Sequence, residues 1–171
     1  MPVPIFRLVE TVERPHEAHL LNPGDAALVF RDGVTRALAM SCPDGCGEII
    51  TINLDSRAGK AWILYRGPGG LTLYPSVWRE TGCKAHFIVW DDCILGIGIP
   101  SSRSKPTVDR SLPDRVFAAL PSGRFVPYWE IAESLEANPW AVEWSCQQLV
   151  ERWQAECQGA GNLASRFRRR A

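Results

Sequence analysis

The sequence contains no long hydrophobic run: its apolar stretches last about six to eight residues, where a membrane-spanning helix needs roughly 20. A helical membrane protein is therefore not expected. The chain also lacks net charge, because 19 basic side chains balance 19 acidic ones. No bulk field draws it to nucleic acid or to a membrane surface. The first residues carry no basic segment leading into an apolar core, so no secretory signal is expected either. No internal repeat is present, which excludes solenoids and propellers. What remains is a 171-residue chain with 46% hydrophobic and 22% charged residues, an ordinary globular composition for one domain or two small ones. The reading is a soluble, cytoplasmic protein, and its six cysteines are then thiols or metal ligands before they are disulfides.

The composition changes near residue 100. Up to residue 99, short apolar runs alternate with Gly, Pro and Asp: Ala26–Phe30, Val34–Met40, Ile49–Leu54, Ala61–Tyr65, Leu71–Tyr74, Phe87–Trp90 and Cys93–Ile99. Close-spaced strands without helices between them argue for antiparallel sheets. Val34, Leu38 and Met40 share a parity with Arg36, the pattern of a half-buried strand. Gly67-Pro68-Gly69-Gly70 and Asp91-Asp92 read as hairpin loops. Residues 100–110 are polar and aperiodic, a linker. Residues 111–163 turn helical. Ser111 and Pro113 open one helix, and Arg124–Val126 suits a short strand. Pro127 opens a second helix, and Asn138-Pro139 opens a third that reaches about Cys157 with Trp140, Trp144 and Trp153 along it. Residues 164–171, with four arginines, read as a mobile basic tail. The expected fold class is α+β: a zinc-stabilised antiparallel β domain (1–99) followed by a winged-helix-like domain (111–163).

The strongest chemical signal is Cys42-Pro43-Asp44-Gly45-Cys46 followed by Cys83-Lys84-Ala85-His86. Two short-spaced pairs on turns supply three thiolates and one imidazole, a tetrahedral donor set that favours zinc. Cys42, Cys46, Cys83 and His86 are the expected ligands. Four ligands make such a zinc structural; a catalytic zinc needs one position to open, with Asp44 as its base or as a replacement ligand. Cys93, Cys146 and Cys157 read as packing residues. His16-Glu17-Ala18-His19 spaces its histidines three apart, not four, and reads as a solvated turn rather than a zinc-protease helix.

The motifs Cys42–Gly47, Leu73-Tyr74-Pro75-Ser76-Val77 and Cys83–Phe87, in this order, resemble a bacterial family of small zinc-motif proteins. Its members are encoded beside ubiquitin-like proteins and E1-like and E2-like enzymes. The resemblance covers roughly residues 5–97. It implies a peptidase that processes or releases a ubiquitin-like protein, with that protein and its E1-like and E2-like enzymes as partners. The family pattern has a cysteine where this chain has Asp44 and a serine where it has Ala85. Ser76 keeps its hydroxyl and is a candidate nucleophile. It needs a base within hydrogen-bond reach, either His86 if that residue is free of metal or Asp44 if the fold brings it close. A turn serine bonding its own backbone is the plain alternative.

The helical module raises the question of DNA. Residues 106–163 hold four arginines against eight carboxylates, and the third helix carries Glu143, Glu151 and Glu156 with only Arg152 opposing them. DNA affinity depends on cations meeting phosphates, so specific duplex binding is not expected. The functional expectations are therefore a hydrolase acting at the C-terminus of a ubiquitin-like protein, then a non-enzymatic zinc-folded adaptor of that system, then a helix-turn-helix regulator.

Overall fold

The computed structural model describes residues 4–97, 109–159 and 165–170. The chain forms two compact units, Met1–Thr107 and Val108–Ala171. The expected linker falls almost entirely outside the described residues, as does the end of the Cys93–Ile99 run.

The first unit holds two four-stranded sheets. In the first, β1 (Arg7–Val12), β2 (Asp25–Arg31), β3 (Val34–Ser41) and β4 (Ile49–Asn53) lie side by side in chain order. In the second, β5 (Ile63–Gly67), β6 (Gly70–Trp78), β7 (His86–Trp90) and β8 (Cys93–Ile97) do the same. Pairing is antiparallel as expected, save that β1 runs parallel to β2. A parallel neighbour needs a crossover. The segment after β1, with its exposed 3-10 turn at Pro15–Glu17, supplies it and contains the His16–His19 stretch.

β3 departs from its expected alternation. Every residue from Ala37 to Ser41 is buried, because the strand is covered on both faces. Leu38 and Met40 enter the main core, while Ala37 and Ala39 pack with Val29 against Val12, Ala18 and Leu20. Small side chains on that second face let the crossover lie close. The main core joins the sheets face to face: Ala26, Leu38, Met40 and Ile52 from the first, with Phe6 just before β1, meet Leu73, Val77, Phe87, Val89 and Ile94 from the second. Burial of this apolar area is the dominant stabilising term.

Both hairpin loops form. Gly67 pairs with Gly70 across Pro68-Gly69. Trp90 pairs with Cys93 across Asp91-Asp92, both with positive φ, as a tight hairpin turn requires. A side chain at Gly70 would strike the Asp92 carboxylate, so this close approach needs glycine.

In the second unit the order is α1 (Leu112–Ala119), β9 (Val126–Pro127), α2 (Tyr128–Ser134), α3 (Pro139–Glu151), β10 (Ala155–Gln158) and β11 (Arg166–Arg169). The strands form one sheet in the order β10-β11-β9. The Asn138 side chain caps α3 by accepting from the Trp140 N–H, as its position before Pro139 suggests. Ser111 makes no side-chain cap.

Two expectations fail here. The third helix stops at Glu151 instead of reaching Cys157, and Trp153 sits in the left-handed region with φ of 60°. Cys157 then lies exposed on β10, not packed. The basic tail is also not a tail: Arg166–Arg169 is the central strand of the sheet, and Phe167 is fully buried. Arginine stems and stacking keep this strand compatible with the surface. The Arg168, Arg169 and Arg170 guanidinium groups lie over the rings of Phe125, Phe117 and Trp153, and Arg168 pairs with Glu156.

Candidate functional site

Two polar groupings occupy the first unit, and both involve the hairpin that joins β6 to β7.

The first grouping is a cluster of donors. Cys42, Asp44, Cys46 and Cys83 bring their ligand atoms within 4.8 Å of one another. Cys42 to Cys46 form a tight loop after β3, closed by the Gly45 N–H to the Cys42 carbonyl and the Cys42 N–H to the Glu48 carbonyl. Asp44 Oδ1 accepts the Cys46 N–H and shapes the turn from within. Cys83 arrives from the β6–β7 connection, with its Sγ 3.6 Å from Cys42 Sγ. Two ligands on one tetrahedral zinc stand about 3.8 Å apart, given Zn–S bonds near 2.3 Å, so this spacing fits. The set differs from the expected ligands in one member, because Asp44 stands where His86 was expected.

The electrostatics fit a cation as well. Burial pushes the Cys42 thiol well above its ordinary value, and the Asp44 carboxylate and the other thiols beside it add to the rise. Burial also pushes the Cys46 thiol up. Burial opposes ionisation of Asp44 too, but the Cys83 thiol, the Cys46 N–H and the Cys42 thiol outweigh it and hold the carboxyl well below the usual range. Three sulfurs and a carboxylate packed together are a donor set suited to a cation. These four residues can hold a metal ion.

The second grouping is a pair. His86 Nε2 lies 3.2 Å from Ser76 Oγ, and both residues are half-buried. Ser76 is not on a plain turn after Pro75; it lies inside β6. Leu73 pairs with Val89 and Val77 with Phe87, so Tyr74, Pro75 and Ser76 together face Ile88 alone. That bulge takes Ser76 out of the ladder, and bulges of this kind re-aim side chains beside active sites. The Trp62 indole N–H donates to the freed Ser76 carbonyl at 3.2 Å, which pins the backbone of the bulge. His86 is held by the next ladder step, opposite Trp78. Trp78 is largely exposed, and its ring centroid is 6.1 Å from that of His86.

Each sequence-predicted site residue thus has a place. Cys42, Cys46 and Cys83 come together; Asp44 joins them rather than Ser76; His86 joins Ser76 rather than the sulfurs. Trp62 and Arg79, whose Nη1 lies 3.1 Å from Cys83 Sγ, were not foreseen. The only sequence signal for Arg79 is a lone cation in the short stretch between Ser76 and Cys83, and Trp62 has none.

Residues 12–95 match the family model of the bacterial ubiquitination-like system serine protease (BubE). The resemblance carried by the three motifs is shown: this chain is similar to a family linked to bacterial ubiquitin-like systems. The matched span contains the four clustered donors, Ser76 and His86. The family's description supports a protease of such a system. No curated protein and no solved structure matches the chain. No helix among the described residues is long and apolar enough to cross a membrane.

Proposed function

We propose that this chain is a serine hydrolase that cleaves the bond after the C-terminus of a bacterial ubiquitin-like protein, either to mature it or to remove it from targets. The carrying observation is the 3.2 Å contact between His86 Nε2 and Ser76 Oγ, inside the span that matches a serine protease family.

The chemistry follows from the pair. With its proton on Nδ1, His86 accepts the Ser76 hydroxyl hydrogen at Nε2. As Ser76 Oγ attacks the scissile carbonyl, that proton passes to Nε2. It then passes to the departing amine, leaving the substrate acyl group on Ser76. Water, giving up its proton to the same nitrogen, cleaves the ester and restores the hydroxyl. Trp62 supports the reaction indirectly, because its hold on the Ser76 carbonyl fixes the nucleophile's backbone. A ubiquitin-like tail is an extended strand that a sheet edge can align, and the exposed Trp78 offers it an aromatic surface beside His86.

Cys42, Asp44, Cys46 and Cys83 hold zinc in this reading, as sulfur-rich tetrahedral donors favour. The zinc supplies a cross-link between the Cys42–Cys46 loop and the β6–β7 hairpin. Four protein donors leave no open position, and Asp44 is then a ligand rather than a base. The second unit reads as a winged helix, given its order of three helices with a three-stranded sheet. The acidic residues on its third helix favour a protein partner, such as an E1-like or E2-like enzyme, over DNA.

The test uses a ubiquitin-like protein extended at its C-terminus, incubated with this protein and read by intact mass. Wild type should remove the extension, and Ser76→Ala should lose at least about 10⁴-fold in turnover while keeping its fold and metal. Binding without cleavage by the wild type would reject the hydrolase and leave the adaptor.

A further inference from the structure

We propose that Arg79 is a positioning residue of the metal centre, its guanidinium capping the sulfurs of Cys42, Cys46 and Cys83 and thereby setting how tightly the metal is held. The proposal rests on the reading of Cys42, Asp44, Cys46 and Cys83 as a metal shell.

The geometry is specific to an arginine. Nη1 points to all three sulfurs, at 3.1 Å from Cys83, 3.6 Å from Cys46 and 3.9 Å from Cys42. Nη2 pairs with the Glu48 carboxylate. One planar fork therefore satisfies two partners on opposite sides, which a lysine ammonium cannot do. The side chain is only 16% exposed, so its contacts are poorly screened. Charge gives the reason for the contact. Three thiolates and a carboxylate carry four negative charges, and a dication leaves two of them uncompensated. Arg79 brings a positive charge to them, shared with Glu48, and N–H···S bonds draw electron density from the sulfurs.

The surroundings hold this arrangement. The Arg79 N–H donates to the Ala85 carbonyl at 2.9 Å, which anchors its backbone across the β6–β7 hairpin. Glu48 belongs to the cysteine loop, since its carbonyl accepts the Cys42 N–H. Gly82 has φ of +67°, and a Cβ there would stand 3.2 Å from both Arg79 Nη2 and a Glu48 carboxylate oxygen. A glycine leaves that ion pair the space to close. Arg79 thus ties the loop that bears three members of the shell to the hairpin that bears the fourth, seven residues before His86, the first residue of β7.

The test compares wild type, Arg79→Met, Arg79→Lys and the exposed-residue control Arg66→Met, each loaded with zinc. Transfer of zinc to a chromogenic chelator should be about tenfold or more faster in Arg79→Met, intermediate in Arg79→Lys and unchanged in Arg66→Met. With cobalt(II) as probe, the sulfur-to-cobalt absorption band should move to longer wavelength in Arg79→Met and partly return in Arg79→Lys; a merely structural role would leave it in place. Equal release rates with an unmoved band would overturn the proposal. If Arg79→Met does not fold, Glu48→Gln keeps the arginine and frees its second anchor. It should raise the release rate by a smaller factor, and an unchanged rate would count against the role. Wild type that takes up neither metal would remove the metal shell itself, and this proposal with it. Binding by wild type with unaltered release in Arg79→Met rejects Arg79 alone.

Discussion

The two units of the molecule bury different things. In the first, the apolar core between two sheets sits beside a partly buried collection of polar groups: the Cys42, Asp44, Cys46 and Cys83 cluster under Arg79, and the Ser76–His86 pair at a bulge. In the second, the core is almost wholly apolar, with Leu112, Val116, Leu120, Tyr128, Ile131, Trp140, Val142, Leu149 and Phe167 around three short helices. Among the described residues it has no donor cluster like that of the first unit. The contrast separates two ways of holding a small domain together. One relies on packing alone, the other adds polar cross-links between hairpins, and chemistry is available only where the polar groups are gathered.

If packing alone holds the second unit, its weakest point should be the single large side chain on its central strand. Phe167→Ala should destabilise residues 108–171 by about 3–5 kcal/mol, as large-to-small changes in a core do. The effect should appear as faster hydrogen exchange of α1–α3 amides while β6 and β7 exchange as before. Unchanged exchange would mean that residues 166–170 do behave as a tail.

A smaller effect sharpens the same contrast, because the second unit does half-bury one carboxyl. Burial raises Glu143 to about 7. A carboxyl raised in the folded state contributes stability that is present below its ordinary value near 4.5 and lost as pH rises through about 7. The urea midpoint of this unit should therefore fall between pH 5 and pH 8, and Glu143→Gln should flatten that fall. Equal slopes in the two proteins would show that Glu143 is solvated.

How much of this was legible follows the same division. The helices of the second unit show in local spacing, and Asn138-Pro139 marks a helix start by chemistry that acts within three residues. What failed there were features set from a distance. Trp153 ends α3 by backbone conformation, and Arg166–Arg169 becomes a strand because β9 and β10 flank it. One buried Phe among arginines is too faint a pattern to reveal that. In the first unit, β1 alternates exposed and half-buried residues without a matching polar–apolar pattern, and it gains its order from parallel pairing with β2, across a connection that spacing cannot reveal. Short cysteine spacing brought the three clustered cysteines to notice. It also drew His86 into the set, because Cys83-Lys84-Ala85-His86 reads as a ligand pair. Only the pairing of β6 with β7 turns that imidazole toward Ser76, and only the Cys42–Cys46 turn directs Asp44 inward.

The separation of the two groupings is the central claim, and His86 decides it. The most direct measurement is the zinc content and the cleavage activity of His86→Ala, determined on one preparation alongside wild type. The account predicts one zinc per chain in both proteins and no release of the C-terminal extension by the variant. Loss of zinc from His86→Ala would place the imidazole among the metal ligands and contradict the account.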